Sequence, residues 1–194
     1  MKYIDIFLDH FDRTPVFSAG DARRFLLYNK SGKTYHKRFI QNMVVKKKIF
    51  RVSKGVYTTH DNSEVVGFAF SPFYYGLTYA LSYYNIWEER ANPVIMTTRV
   101  VRSGQRRSLG TNISVFRLPH YLFFGYTSVR GNLFYYPISD LEKVLIDIVY
   151  FNINLREEII ERLVSKLNKQ KFYNYLDKCP EKLRRKVILF VRGK

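Results

Sequence analysis

The 194-residue sequence predicts an α+β chain in two parts. Three observations carry this. Apolar residues recur at helical spacing three times before residue 48. The period then switches to that of strands around Ser53-Lys54-Gly55. After a polar break at Asp61-Asn62-Ser63, apolar runs of strand length alternate with Gly, Asn and Pro and end in a long helical tail.

Taken in order, Ile4, Phe7, Leu8 and Phe11 define a first amphipathic helix, which Arg13-Thr14-Pro15 ends. Ser18 with Asp21 three residues later is a capping-box pattern for a second helix, whose apolar face is Ala22, Phe25 and Leu26. Lys30-Ser31-Gly32 reads as a turn, with Ser31 capping a third helix. That helix turns Phe39, Ile40, Met43 and Val44 inward and runs to about Lys47. "KIFRV" and "GVYTT" then flank a tight hairpin in which Gly55 can take the positive φ required. Three short helices closed by a basic hairpin is the order of a winged helix-turn-helix, assigned here to residues 1–62. Residues 63–194 are expected to form a mixed α/β C-terminal domain with a small, mainly antiparallel sheet and a helical tail. Its expected parts are a helix opened by Ser71-Pro72 and strands in "NPVIMTTRVV", "NISVFRL", "YLFFGYTSV" and "NLFYYPI". An exposed loop "RSGQRRSLGTN", a capped helix from Ser139-Asp140 and helices beyond residue 154 complete it.

Net charge is +17, from 33 Lys and Arg against 16 Asp and Glu. The excess is concentrated: residues 22–60 hold eleven basic residues and no acid, while residues 1–21 hold four acids and two bases. A localised positive field suits a polyanion. No apolar run approaches the ~18 residues that cross a bilayer, so no membrane partner is expected. The acidic, amphipathic N-terminus does not read as a secretory signal. The single cysteine excludes an internal disulfide and a Cys-based zinc site. The expected location is the cytoplasm.

In a helix-turn-helix the third helix buries one face and offers the other to the major groove. The outward positions are Lys33, Thr34, Lys37, Arg38 and Gln41, types that meet base edges and phosphates. Tyr35 and His36 lie at the margin, each as core or contact. Arg51 and Lys54 at the hairpin would reach the backbone or a neighbouring groove, and Arg23 and Arg24 suit phosphates. The plainer alternative is a solvated charged helix face. Lys46-Lys47-Lys48 is equally a helix C-terminal charge set. In the second part, Arg99, Arg102, Arg106, Arg107, Arg117 and Arg130 are read as a second basic surface for acidic protein, DNA or RNA.

No catalytic, metal or cofactor site is expected. "SGKT" at 31–34 lacks the glycine of a nucleotide-binding loop at position 27, which is leucine. Glu88 and Glu89, the only acids between Glu64 and Asp140, are adjacent and so diverge on a helix. The four histidines are scattered. Cys179 reads as a small buried apolar residue. Of the paired aromatics such as Tyr74-Tyr75 and Tyr135-Tyr136, one member is expected in the core and one at its edge.

"FSAGDARRFL" followed by "TYHKRFIQNMVVKKKIFRVSKGVYTT" resembles the N-terminal module of the AbiEi-type antitoxins of abortive-infection, type IV toxin–antitoxin systems. "SPFYYGLTYALSYYNI", "PVIMTTR", "FFG" and "PISDLEKVLIDIVYF" are similar to the family's C-terminal domain, and the resemblance covers about residues 10–150. It implies a transcriptional autorepressor that binds inverted repeats upstream of its operon. It also implies an antitoxin that neutralises a nucleotidyltransferase-like toxin without requiring contact with it. Two copies per operator are expected, since winged-helix proteins often read palindromes as pairs. An RNA- or tRNA-binding adaptor, or a stand-alone regulator without a toxin, are the alternatives at this point.

Overall fold

A computed structural model describes residues 3–29, 35–89 and 91–193. The fold is α+β, with two apolar cores.

The first core is built by helices α1 (Tyr3–Asp12), α2 (Ala19–Tyr28) and α3 (Tyr35–Val45) and a three-stranded sheet of β1 (Phe17–Ser18), β2 (Phe50–Ser53) and β3 (Val56–Thr58), in the order β1-β3-β2. Phe7, Phe11, Phe17, Leu26, Phe39 and Met43 fill it. The aromatic rings meet edge-on, tilted or stacked, Phe11 and Phe17 stacked at 4.2 Å between centroids. The capping box forms as the sequence predicts: the Asp21 amide donates to Ser18 Oγ at 3.1 Å and the Ser18 amide to Asp21 Oδ2 at 2.8 Å. Burial pushes the Asp21 carboxyl upward, but the Ser18 hydrogen bonds and the Arg24 guanidinium outweigh it and hold the group below its usual range. Gly55, at φ 75°, closes the β2–β3 hairpin. The Ser31 turn and cap lie outside the described residues.

The second core surrounds one sheet of β4 (Phe73–Tyr75), β5 (Val94–Thr97), β6 (Gly104–Ser108), β7 (Thr111–Arg117), β8 (Tyr126–Arg130) and β9 (Tyr135–Ser139). The order is β6-β7-β5-β4-β9-β8, with β5–β7 and β4–β9 parallel and the other pairs antiparallel. This is larger and more mixed than the small, mainly antiparallel sheet expected. Two misread segments account for much of the difference. "RSGQRRSLGTN" is not a loop: it contains edge strand β6 and a tight turn in which Leu109 (φ 47°) and Gly110 (φ 72°) both take positive φ. Nor does Ser71-Pro72 open a helix. Phe73–Tyr75 is a central strand, because Tyr74 and Tyr75 are both fully buried and only alternation sends them to opposite faces. The helix there, α4 (Leu77–Tyr83), starts after Gly76. The expectation of one buried tyrosine per pair therefore fails at Tyr74-Tyr75 and holds at Tyr135-Tyr136. "YLFFGYTSV" is divided as well, between a 3-10 turn at His120–Leu122 and β8.

The 3-10 segment Ser63–Phe70 covers one face of this sheet, where the Tyr75 hydroxyl donates to the Glu64 carbonyl at 2.8 Å and accepts the Gly67 amide at 2.8 Å. Helices α5 (Leu141–Phe151), α6 (Glu157–Ser165), α7 (Lys169–Leu176) and α8 (Glu181–Arg192) form the helical part. Tyr74 points to α5, donating its hydroxyl to Asp147 Oδ2 at 2.8 Å. Asp147 also pairs with Lys143 one turn earlier, and all three side chains are buried. Burial pushes the Asp147 carboxyl up, against the pull of Lys143 and the Tyr74 hydroxyl.

The two cores touch. Val52 of β2 belongs to the second core, and Ser108 Oγ of β6 donates to the Val52 carbonyl at 2.8 Å. Across the linker, His60 lies edge-on to Phe134, with ring centroids 5.0 Å apart.

Candidate nucleic-acid interface

Helix α3 is amphipathic because Phe39, Ile40 and Met43 recur three to four residues apart and pack inward. That places Lys37, Arg38 and Gln41 on the solvent side, all exposed. No acid lies on α3, and none of these three side chains has an ion-pair partner among the described residues. Asn42 and Val45 share the exposed surface, Val45 at 75%. Sequence reading passed over both, although Asn42 follows Arg38 by one helical turn, which was the available signal.

A groove of about 420 Å³ opens between α3 and the small sheet, lined by His36, Lys37, Ile40, Gln41, Arg51 and Tyr57 among others. Lys37, Gln41 and Arg51, singled out in the sequence as contacts, thus meet on one surface with His36. The Arg51 Nε–H donates to the Ser53 carbonyl at 3.3 Å, which leaves the outer guanidinium nitrogens to solvent. Lys54 is exposed at the hairpin tip, and Arg23 is exposed on α2. Arg24 is less free, because it is ion-paired with Asp21 of its own helix. Tyr35 is 46% exposed with its ring 5.7 Å from that of Phe39, so it takes the edge-of-core position. Lys33 and Thr34 lie outside the described residues.

The six arginines of the second part do not form one surface. Strand alternation puts Arg106 and Arg117 on the face of the sheet covered by Ser63–Phe70, with Arg106 over the Phe70 ring at 5.5 Å. Arg99 joins them, donating from Nη1 to the Ala69 carbonyl at 2.7 Å. Arg102 is exposed in the β5–β6 connection, and its carbonyl accepts from Arg106. By the same alternation Arg107 and Arg130 point to the other face, and Arg130 lies on β8 at the far edge from β6. Side-chain direction in a strand depends on register, so a list of arginines could not reveal this division.

Glu88, Asp140 and Glu142 make contacts within the fold. Glu88 pairs with Arg162 at 2.7 Å. Asp140 accepts the Tyr175 hydroxyl at 2.7 Å and meets Lys171 at 3.0 Å. Glu142 accepts the Asn168 amide at 2.8 Å. These contacts fasten α7 to the start of α5. Cys179 is buried, with its thiol 3.4 Å from the Tyr175 carbonyl, and burial pushes it up from its ordinary range. Among the described residues no group of three His, Cys, Asp or Glu is placed to hold a metal ion. No helix among them is long and apolar enough to cross a membrane.

The fold is similar to that of the Rv2827c protein from Mycobacterium tuberculosis, known from a crystal structure. The TM-score is 0.65, with 12% identity over 97% of this chain and 74% of that one. At that identity the likeness is one of fold. No family model and no curated protein sequence matches the chain.

Proposed function

We propose that this chain is a sequence-specific duplex-DNA-binding protein of the winged-helix kind. In this reading residues up to 62 are the DNA-binding domain, α3 is its recognition helix and the β2–β3 hairpin its wing. The observation that carries it is the outward face of α3: Lys37, Arg38 and Gln41, exposed and unpaired among the described residues, with Lys37 and Gln41 sharing a groove with Arg51. A helix fits the major groove of B-DNA, where Arg and Lys read guanine and Gln reads adenine. Lys54, Arg23 and the Lys46-Lys47-Lys48 run supply phosphate contacts that set position and salt dependence.

The biological role follows the AbiEi-type resemblance. The protein represses its own operon by binding inverted repeats as two copies, and acts as the antitoxin of a nucleotidyltransferase-like toxin. It binds and does not catalyse, requires no cofactor, and works in the cytoplasm.

The test is fluorescence anisotropy with the duplex just upstream of the gene, beside a shuffled duplex of equal length, over a salt series. A preference of about a thousandfold or more that survives moderate salt supports operator recognition. Equal affinity for both duplexes, collapsing together with salt, would sink it and leave only a polyanion footprint. Rescue of growth when the chain is co-expressed with the product of the adjacent gene, toxic alone, tests the antitoxin role separately.

A further inference from the structure

A cavity of about 450 Å³ lies on the face of the large sheet beneath Ser63–Phe70 and α4, where the linker from the β2–β3 hairpin enters the second core. Its polar wall is made by Asn62, Glu64, Asn92 and Asn132, and Tyr79 and Tyr136 add two rings. Among the described residues no Lys or Arg lines it. The Glu64 carboxylate, the one charged group among the described lining residues, repels a phosphate-bearing ligand.

The wall is held in place. Glu64 Oε2 accepts the Asn132 amide and Oε1 the Asn132 Nδ2–H, both at 3.0 Å, while Asn62 Oδ1 accepts the Glu64 amide at 2.9 Å. Each carboxylate oxygen has two lone pairs, so each keeps one beyond its Asn132 bond. The Tyr79 and Tyr136 rings stand 6.4 Å apart at 64°, an aromatic corner. Burial pushes both phenols up, so they remain neutral hydrogen-bonding groups at physiological pH. The volume is in the range of small-molecule sites, which combine ring surfaces with a few convergent polar groups.

We propose that this cavity binds an uncharged nucleobase or nucleoside, guanosine in preference to the other three. Tyr83, which also lines the cavity and is 46% exposed, offers stacking surface for a planar heterocycle, with Tyr79 adding to the aromatic wall. The Glu64 carboxylate offers acceptors for the adjacent N–H donors that guanine presents on its Watson–Crick edge, and the asparagine amides can serve its carbonyl and ring nitrogen. The proposal goes beyond the DNA-binding reading and stands without it.

The experiment is isothermal titration of the full chain with guanosine, adenosine, cytidine and uridine, and with guanosine 5′-monophosphate. Saturable guanosine binding with a dissociation constant below about 1 mM is expected, weaker for the other nucleosides and no tighter for the monophosphate. Glu64→Gln and Asn92→Ala should each weaken it about tenfold or more. Asn92 is exposed and has no described hydrogen bond, so that variant decides the matter even if Glu64→Gln disturbs the Asn132 turn. No binding of any nucleoside at millimolar concentration, unchanged binding in Asn92→Ala, or tighter binding of the monophosphate would each overturn the proposal. The operator measurement uses no nucleoside, so failure of one reading leaves the other testable.

Discussion

Helices α3 and α5 are both eleven residues long, and both carry charged residues among apolar ones, yet they treat those charges in opposite ways. On α3, Lys37 and Arg38 stand in solvent with no acid nearby on the helix. On α5, Glu142, Lys143 and Asp147 are all buried and matched, Lys143 to Asp147 and Glu142 to the α7 amide of Asn168. The difference is coverage. Helix α3 packs on one side only, whereas α5 lies between the large sheet and the tail helices. A charge left at a surface keeps its water and stays available to a ligand. A charge under a second layer must be paired within the fold, and then it belongs to the fold.

Breaking the α5 pair should produce the largest effect. Asp147→Ala leaves an uncompensated buried ammonium, and a loss of about 3–5 kcal/mol is expected in urea or thermal unfolding. The triple variant Lys143→Met, Asp147→Leu and Tyr74→Phe should recover most of it, because the ion pair and the Tyr74 hydroxyl that donates to Asp147 are then removed together and no buried polar group is left without a partner. If Asp147→Ala costs under about 1 kcal/mol, the burial assigned to α5 is wrong.

On α3 the expected effect appears in binding and not in stability. Lys37→Ala with Arg38→Ala should weaken operator binding about ten- to a hundredfold, since each base contact carries roughly 1–3 kcal/mol of discrimination. The unfolding midpoint should stay in place, because both side chains are exposed and unpaired. Unchanged DNA affinity would make this face only a solvated one.

Ser18→Ala removes the α2 capping box and should cost about 1 kcal/mol. Its partner supplies a pH signature. The folded-state pKa of Asp21 is depressed, so its contribution is present above the ordinary carboxylate range and is lost as pH falls through the lower folded value. Asp21→Asn should therefore remove part of the acid-side loss of stability, read as a flatter unfolding midpoint between roughly pH 5 and pH 2.

The smallest expected effect is at the hairpin tip. Lys54→Ala should lower affinity alike for operator and shuffled duplex and reduce the slope of log K against log salt by about 1. A loss confined to the operator would move Lys54 from phosphate contact to base reading.

Local signals were legible wherever the chain has a near neighbour to answer to. The Ser18–Asp21 box, the Gly55 turn, the inward face of α3 and the basic, acid-free stretch around it could all be read from spacing, because caps, turns and amphipathic periods are set within about four residues. The α+β class followed from the same spacings. Tertiary structure decided what depends on partners distant in sequence. Phe73–Tyr75 is a strand because β5 and β9 flank it, and Gly104–Ser108 is one because β7 pairs with it. The arginines divide between two faces through that register. The nucleoside-sized cavity collects segments from residue 62 to residue 136. A strand has no internal hydrogen bonds of its own, so its identity, and every side chain it aims, is set by the neighbours that pair with it.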